Sequence, residues 1–281
     1  MKFDLIKEKL KENPERINVL YRWLTEKEFC DSSCEELCKY LLENKSIFDP
    51  KLYHGLIRAD KNGNRLAYRY GSRQGRTTSE PRKDKDGKID EKHLAMNIFR
   101  QGRKGNEPVK IDQLGYILDY EMPIGGNSKK LKENDGKLCE IYDPDPGSNR
   151  SANSLFYNPG KCDLVSYDDK DNCFTILELK KESNKEPLIR AVMEAFTYRE
   201  LLNQKEAAKS LSKEYPKLRI NVDDSVWNAA LLLCYGGSQH EEYRKAGKNL
   251  QKLMEDLRIK PIWYSYDENS GISIKNDSVV N

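Results

Sequence analysis

The sequence predicts an α/β fold: a mixed central sheet flanked by helices over residues 90–281, preceded by a helical extension and charged linker over 1–89. Three observations lead there. From residue 90 onward, apolar runs of strand length alternate with stretches of helical periodicity. Two of those runs, 161–167 and 173–180, are separated only by the turn DDKDN, so they must pair as an antiparallel hairpin. The later strand–helix–strand steps then favour a mixed sheet with helices on its faces.

Residues 1–45 place Leu5, Ile6, Leu10, then Ile17, Leu20, Tyr21, Leu24, then Leu37, Leu41, Leu42 at helical spacing. Pro14 and the DSS at 31–33 read as helix starts, giving two or three short helices that form either a small helical module or an N-terminal extension packed on the main domain. The pattern breaks between 50 and 89, where RLAYRYG at 65–71 suits one strand. Between residues 58 and 92 there are 11 Lys or Arg against 6 Asp or Glu, with Tyr68 and Tyr70 interleaved. That composition suits a phosphate-contacting loop or a charged linker that binds nothing.

DEKHLAMNIFRQ (90–101) reads as a helix with Asp90 as its cap. LGYILDYEMPI (114–124) is rich in strand formers and is stopped by Pro123 and two glycines. A polar excursion follows, then the hairpin strands KCDLVSY and CFTILELK. EPLIRAVMEAFTYRELLNQ (186–204) is a helix with Pro187 near its first turn. WNAALLLCYGG (227–237) is a buried strand, SQHEEYRKAGKNLQKLMEDLRI (238–259) a helix, and PIWYSY (261–266) the final strand.

Composition is that of a globular protein with a charged surface: 37% hydrophobic, 34% charged, 49 Lys or Arg against 46 Asp or Glu. The resulting charge of +3 neither demands nor excludes nucleic acid. The opening MKFDLIKEKLKENPERI lacks the apolar core of a signal peptide, and no stretch reaches the roughly 18–20 apolar residues of a membrane span. The expectation is a cytoplasmic protein with no membrane partner. A homo-oligomer is compatible with the sequence without being readable from it. Cys30, Cys34 and Cys38 fall one helical turn apart and, with no CxxC knuckle or fourth ligand, read as helix-packing thiols.

Chemistry concentrates in the hairpin. Asp163 sits on its first strand, Glu178 and Lys180 on its second, and strand alternation puts Glu178 and Lys180 on one face. Charges flanked by CFTIL and LV lie at the edge of a buried sheet, where each needs a partner or a metal. One solution is a structural Glu–Lys–Asp ion network. The other is a hard-cation site in which Asp163, Glu178 and the Leu179 carbonyl hold Mg²⁺ or Mn²⁺, with Lys180 beside an attacking water.

The motif GKCD (160–163) followed by Glu178-Leu179-Lys180 resembles the PD-(D/E)xK nuclease superfamily, without the proline of its name. The order helix, three strands, helix, strand from Glu91 to Tyr235 resembles that superfamily's restriction-endonuclease-like core. The resemblance implies metal-dependent hydrolysis of DNA, with Asp163, Glu178 and Lys180 catalytic, and Asp163, Glu178 and Glu91 holding the Mg²⁺ or Mn²⁺. Glu194 and Tyr198, in ExxxY spacing on the next helix, resemble the QxxxY helix of one branch and are expected to support Lys180. Glu91 also reads as a solvated glutamate at a helix start, Glu194 as a surface partner of Arg190, and Tyr198 as a core aromatic. The competing function is a non-catalytic nucleic-acid-binding or assembly protein that keeps the fold.

Overall fold

The computed structural model describes residues 3–24, 31–49, 57–59, 89–124, 128–134, 137–142, 161–202 and 204–275. The described helices are α1 (Phe3–Glu12), α2 (Leu20–Trp23), α3 (Asp31–Glu43), α4 (Glu91–Gln101), α5 (Leu188–Leu201), α6 (Gln204–Glu214), α7 (Ser238–Lys245) and α8 (Lys248–Asp256). The first strands are β1 (Ile57–Ala59), β2 (Arg103–Lys104), β3 (Glu107–Pro108), β4 (Lys110–Ile111), β5 (Gly115–Pro123), β6 (Ser128–Asn134) and β7 (Lys137–Tyr142). They are followed by β8 (Lys161–Asp168), β9 (Cys173–Lys180), β10 (Val226–Cys234), β11 (Ile259–Asp267) and β12 (Gly271–Lys275).

Seven strands form one mixed sheet in the order β12-β11-β10-β9-β8-β5-β4. β9, β10 and β11 run parallel, whereas β8 pairs antiparallel with both β9 and β5. The two crossovers, β9 to β10 and β10 to β11, are the long connections that carry α5–α6 and α7–α8. Helices cover both faces. Val165, Tyr167, Phe174, Ile176, Leu231 and Leu233 share one buried cluster with Val192 and Phe196 of α5. Leu164, Leu177, Leu179 and Leu232 share the other with Leu94, Ile98 and Phe99 of α4.

The N-terminal helices belong to the first cluster. Ile6 and Leu10 of α1, Leu20 and Tyr21 of α2, and Leu37 and Leu41 of α3 are buried in continuity with α5. Glu35 of α3 accepts from the backbone amides of Asn249 at 3.0 Å and Leu250 at 3.1 Å, so a carboxylate meets the free donors at the start of α8.

Several elements differ from their sequence reading. Residues 238–259 form two helices, because Ala246 and Gly247 adopt extended backbone between α7 and α8. Glu35 occupies that break, and a Cβ at Gly247 would overlap its carboxylate. The polar excursion contains the β6–β7 hairpin, with β1 parallel to β7 in a separate three-stranded sheet. α6 and the edge strand β12 were not anticipated: α6 has few buried positions, and β12 alternates weakly. RLAYRYG, Cys30 and nearly all of the basic 58–92 segment lie outside the described residues. Among the described residues, no helix is long and apolar enough to cross a membrane.

Candidate active site

The hairpin register builds the site. Leu164 pairs with Leu177, and both face α4. The next positions outward, Asp163 and Glu178, therefore turn toward the α5 side, where Lys180 follows by alternation. Beyond Leu164–Leu177 the strands separate, and the Asp163 carboxylate takes the place of a ladder acceptor: its Oδ2 accepts from the Leu179 amide at 2.8 Å. The N–H and C=O of a strand residue point to the same neighbour, so the Leu179 carbonyl opens into this gap as well.

Lys180 is buried and surrounded by carboxylates. Its Nζ lies 2.9 Å from Glu178 Oε1, 3.0 Å from Glu186 Oε2 and 3.5 Å from Glu194 Oε2. The Tyr198 hydroxyl donates to Glu194 Oε1 at 2.8 Å, which fixes the second oxygen of that carboxylate. Tyr264 Oη donates to the Lys180 carbonyl at 3.2 Å and steadies the end of β9. Glu178 Oε2 is buried and meets no hydrogen-bond donor among the described residues.

The electrostatics follow from burial in a crowd of like charges. Burial pushes the Asp163 carboxyl up to about 8, against the opposing pull of Lys180 and the Leu179 amide. Burial drives Glu178 well above the carboxylate range, reinforced by the charges of Asp163 and Glu194. For Lys180 burial pulls downward, but Glu178, Glu194, Glu91 and Asp163 outweigh it and hold the ammonium well above its ordinary value. Burial opposes ionisation of Glu194 too, yet Lys180 and the Tyr198 hydroxyl bring its pKa below the usual range.

The structure thus brings Glu178, Lys180, Glu194 and Tyr198 into direct contact, with Asp163 joined through Leu179 and through its charge on Glu178. Glu91 stands at the rim. Its Oε1 accepts from the Lys181 amide at 3.2 Å and Asn184 Nδ2 at 2.6 Å, and its charge reaches Asp163 and Lys180. Asp90 caps α4 as expected, accepting from the His93 amide.

Sequence reasoning missed Glu186, Asn184, Gln239 and Tyr264. Glu186 carried a readable signal, a carboxylate just before Pro187 at a helix start. Asn184 and Gln239 carried none, since their partners are distant in sequence. Buried Gln239 Nε2 donates to Asn184 O at 3.0 Å, Asn184 Oδ1 at 3.1 Å and Glu186 O at 2.7 Å, pinning the loop after β9.

A hard cation suits this donor set: two carboxylates whose pKa values burial raises, one of them with a buried unpaired oxygen, beside a backbone carbonyl. Mg²⁺ characteristically keeps several waters and needs only one or two carboxylates. No group of three or more His, Cys, Asp or Glu side chains able to hold a metal ion is present among the described residues. No family model, curated protein or solved structure matches the chain.

Proposed function

We propose that the chain is a metal-dependent phosphodiesterase of the PD-(D/E)xK nuclease superfamily, with a restriction-endonuclease-like core, that hydrolyses DNA. The observation that supports this reading is a buried Lys180 2.9 Å from Glu178 Oε1, with Asp163 bonded to the amide of the intervening Leu179. A lysine in that place has a chemical use that a purely apolar strand end would not supply.

Asp163 and Glu178 would hold Mg²⁺ or Mn²⁺, with the Leu179 carbonyl beside them and Glu91 at the rim. The ion supplies Lewis acidity at the scissile phosphate and at a bound water. Lys180, kept charged by its carboxylate neighbours, donates to a phosphate oxygen and stabilises the charge that develops there. Glu194 and Tyr198 orient Lys180 and touch no reacting atom. A bound cation would favour the ionised forms of Glu178 and Asp163, which burial disfavours, so protons would compete with it.

A second reading, a non-catalytic DNA-binding or assembly protein with the same core, is favoured by one observation. Lys180 already neutralises Glu178 Oε1 at 2.9 Å, as a structural ion network would. Mn²⁺- or Mg²⁺-dependent cutting of single-strand, duplex, branched and modified DNA separates the two. Cutting lost in Asp163→Ala and Glu178→Ala supports the enzyme, and DNA binding indifferent to both supports the second reading.

A further inference from the structure

Glu186, Arg190, Glu194 and Tyr198 lie four residues apart and form one stripe along α5 and the residue leading into it. The stripe meets Lys180 through Glu186 and Glu194, and the N-terminal helical unit through Arg190 and Tyr198. The two carboxylates in the stripe share the Lys180 ammonium with Glu178, lying 3.0 and 3.5 Å from Nζ against 2.9 Å for Glu178. Each is braced by a neighbour in the stripe: Glu194 by a hydrogen bond from the Tyr198 hydroxyl at 2.8 Å, Glu186 by the charge of Arg190, whose Nε lies 3.1 Å away.

Both braces are in turn touched by the N-terminal unit. The Tyr21 ring meets Tyr198 edge to face, with centroids 5.8 Å apart. The Leu24 carbonyl accepts from Arg190 Nη1 at 3.2 Å. Tyr21 and Leu24 are buried, and Tyr21 Oη accepts from Arg22 Nε at 3.0 Å. Two independent routes therefore run from residues 21–24 to one ammonium group.

We propose that the Tyr21–Leu24 segment is a positioning element of the site, bracing through Tyr198 and Arg190 the two carboxylates, Glu194 and Glu186, that hold Lys180 together with Glu178. This deepens the proposed function and rests on it for its catalytic consequence alone. A lysine has four rotatable bonds and keeps no position by itself. With Glu186 and Glu194 fixed from the α5 side, the ammonium keeps one place among three carboxylates instead of following Glu178 alone. The N-terminal unit, which carries no motif of its own, is then part of the site.

Two readouts on the full chain test this. The first is trace acetylation of Lys180 by acetic anhydride, quantified by mass spectrometry against the exposed lysines of the same chain. Tyr21→Leu is expected to raise Lys180 labelling about tenfold while the protein stays folded, and Tyr21→Phe, which keeps the ring, to stay within about twofold of wild type. The second is Mn²⁺-dependent turnover, where Tyr21→Leu is expected to lower kcat about tenfold with KM and Mn²⁺ affinity unchanged. If Tyr21→Leu does not fold, Arg190→Met cuts the other route and is read in the same way. Unchanged labelling in a folded variant overturns the proposal. A wild-type chain that neither binds Mn²⁺ nor cuts DNA removes the nuclease function, and the labelling result still decides the bracing.

Discussion

Asn184 Nδ2 donates to Glu91 Oε1 at 2.6 Å, tying the first turn of α4 to the loop that follows β9. Asn184 is itself gripped by Gln239, so three elements distant in sequence fix one rim of the site. Gln239→Leu would leave the carbonyls of Asn184 and Glu186 without their buried donor. It is expected to cost about 1–3 kcal/mol of stability, measured by urea unfolding. A loss under a few tenths would show that water replaces the amide freely.

Tyr198→Phe removes the hydroxyl from Glu194 and keeps the ring against Tyr21. A hydrogen bond to a buried charged group is worth about 1.5–3 kcal/mol, and that is the expected destabilisation. Calorimetric or denaturant unfolding of the two proteins gives the value. Mn²⁺-dependent turnover should fall with it, since Glu194 is one of the groups that hold Lys180.

Stability should depend on pH in a direction opposite to that of an ordinary ion-paired carboxylate. The folded pKa of Asp163, about 8, lies above that of an unfolded aspartate, so folding favours the protonated form. Its contribution is complete below about pH 4 and is lost as pH rises through about 8. Glu178 acts in the same sense, while Glu194, with its lowered pKa, contributes only above the ordinary carboxyl range and loses that as pH falls. Without divalent metal, the unfolding free energy should decline from pH 5 to 8 (roughly the window these groups set), and Asp163→Asn should flatten the decline. Added Mg²⁺ should stabilise more at the alkaline end, because protons compete with the ion.

Gly247→Ala places a Cβ against the Glu35 carboxylate that caps α8. Displacing it is expected to cost about 1–3 kcal/mol in a thermal or denaturant scan. Glu35→Ala should cost about 1 kcal/mol and make the Gly247→Ala change nearly neutral, since the two share one contact.

Much of the sheet was legible because CFTILELK and WNAALLLC are short apolar runs bounded by turns, and a five-residue turn leaves few ways to pair 161–167 with 173–180. Glu178 and Lys180 could be placed together because strand alternation fixes i and i+2 on one face. The break at Ala246–Gly247 was not legible, since its cause is Glu35, more than two hundred residues away. Gln239 and Asn184 escaped for the same reason: their partners belong to elements distant in sequence. Of the stripe Glu186, Arg190, Glu194, Tyr198, the last two matched a known helix pattern and Arg190 entered as a partner of Glu194, whereas the structure pairs Arg190 with Glu186, just outside the helix. That α1–α3 share a core with α5 depended on tertiary packing that periodicity alone does not specify.

The most direct measurement is Mn²⁺-dependent cleavage of a DNA panel by the wild-type chain and by folded Lys180→Met, which keeps the bulk of the side chain and removes its ammonium. Cutting by wild type, reduced about a hundredfold or more in the variant, is the predicted result. Wild type indistinguishable from Lys180→Met on every substrate would contradict the assignment of this buried lysine and its carboxylates to phosphodiester hydrolysis.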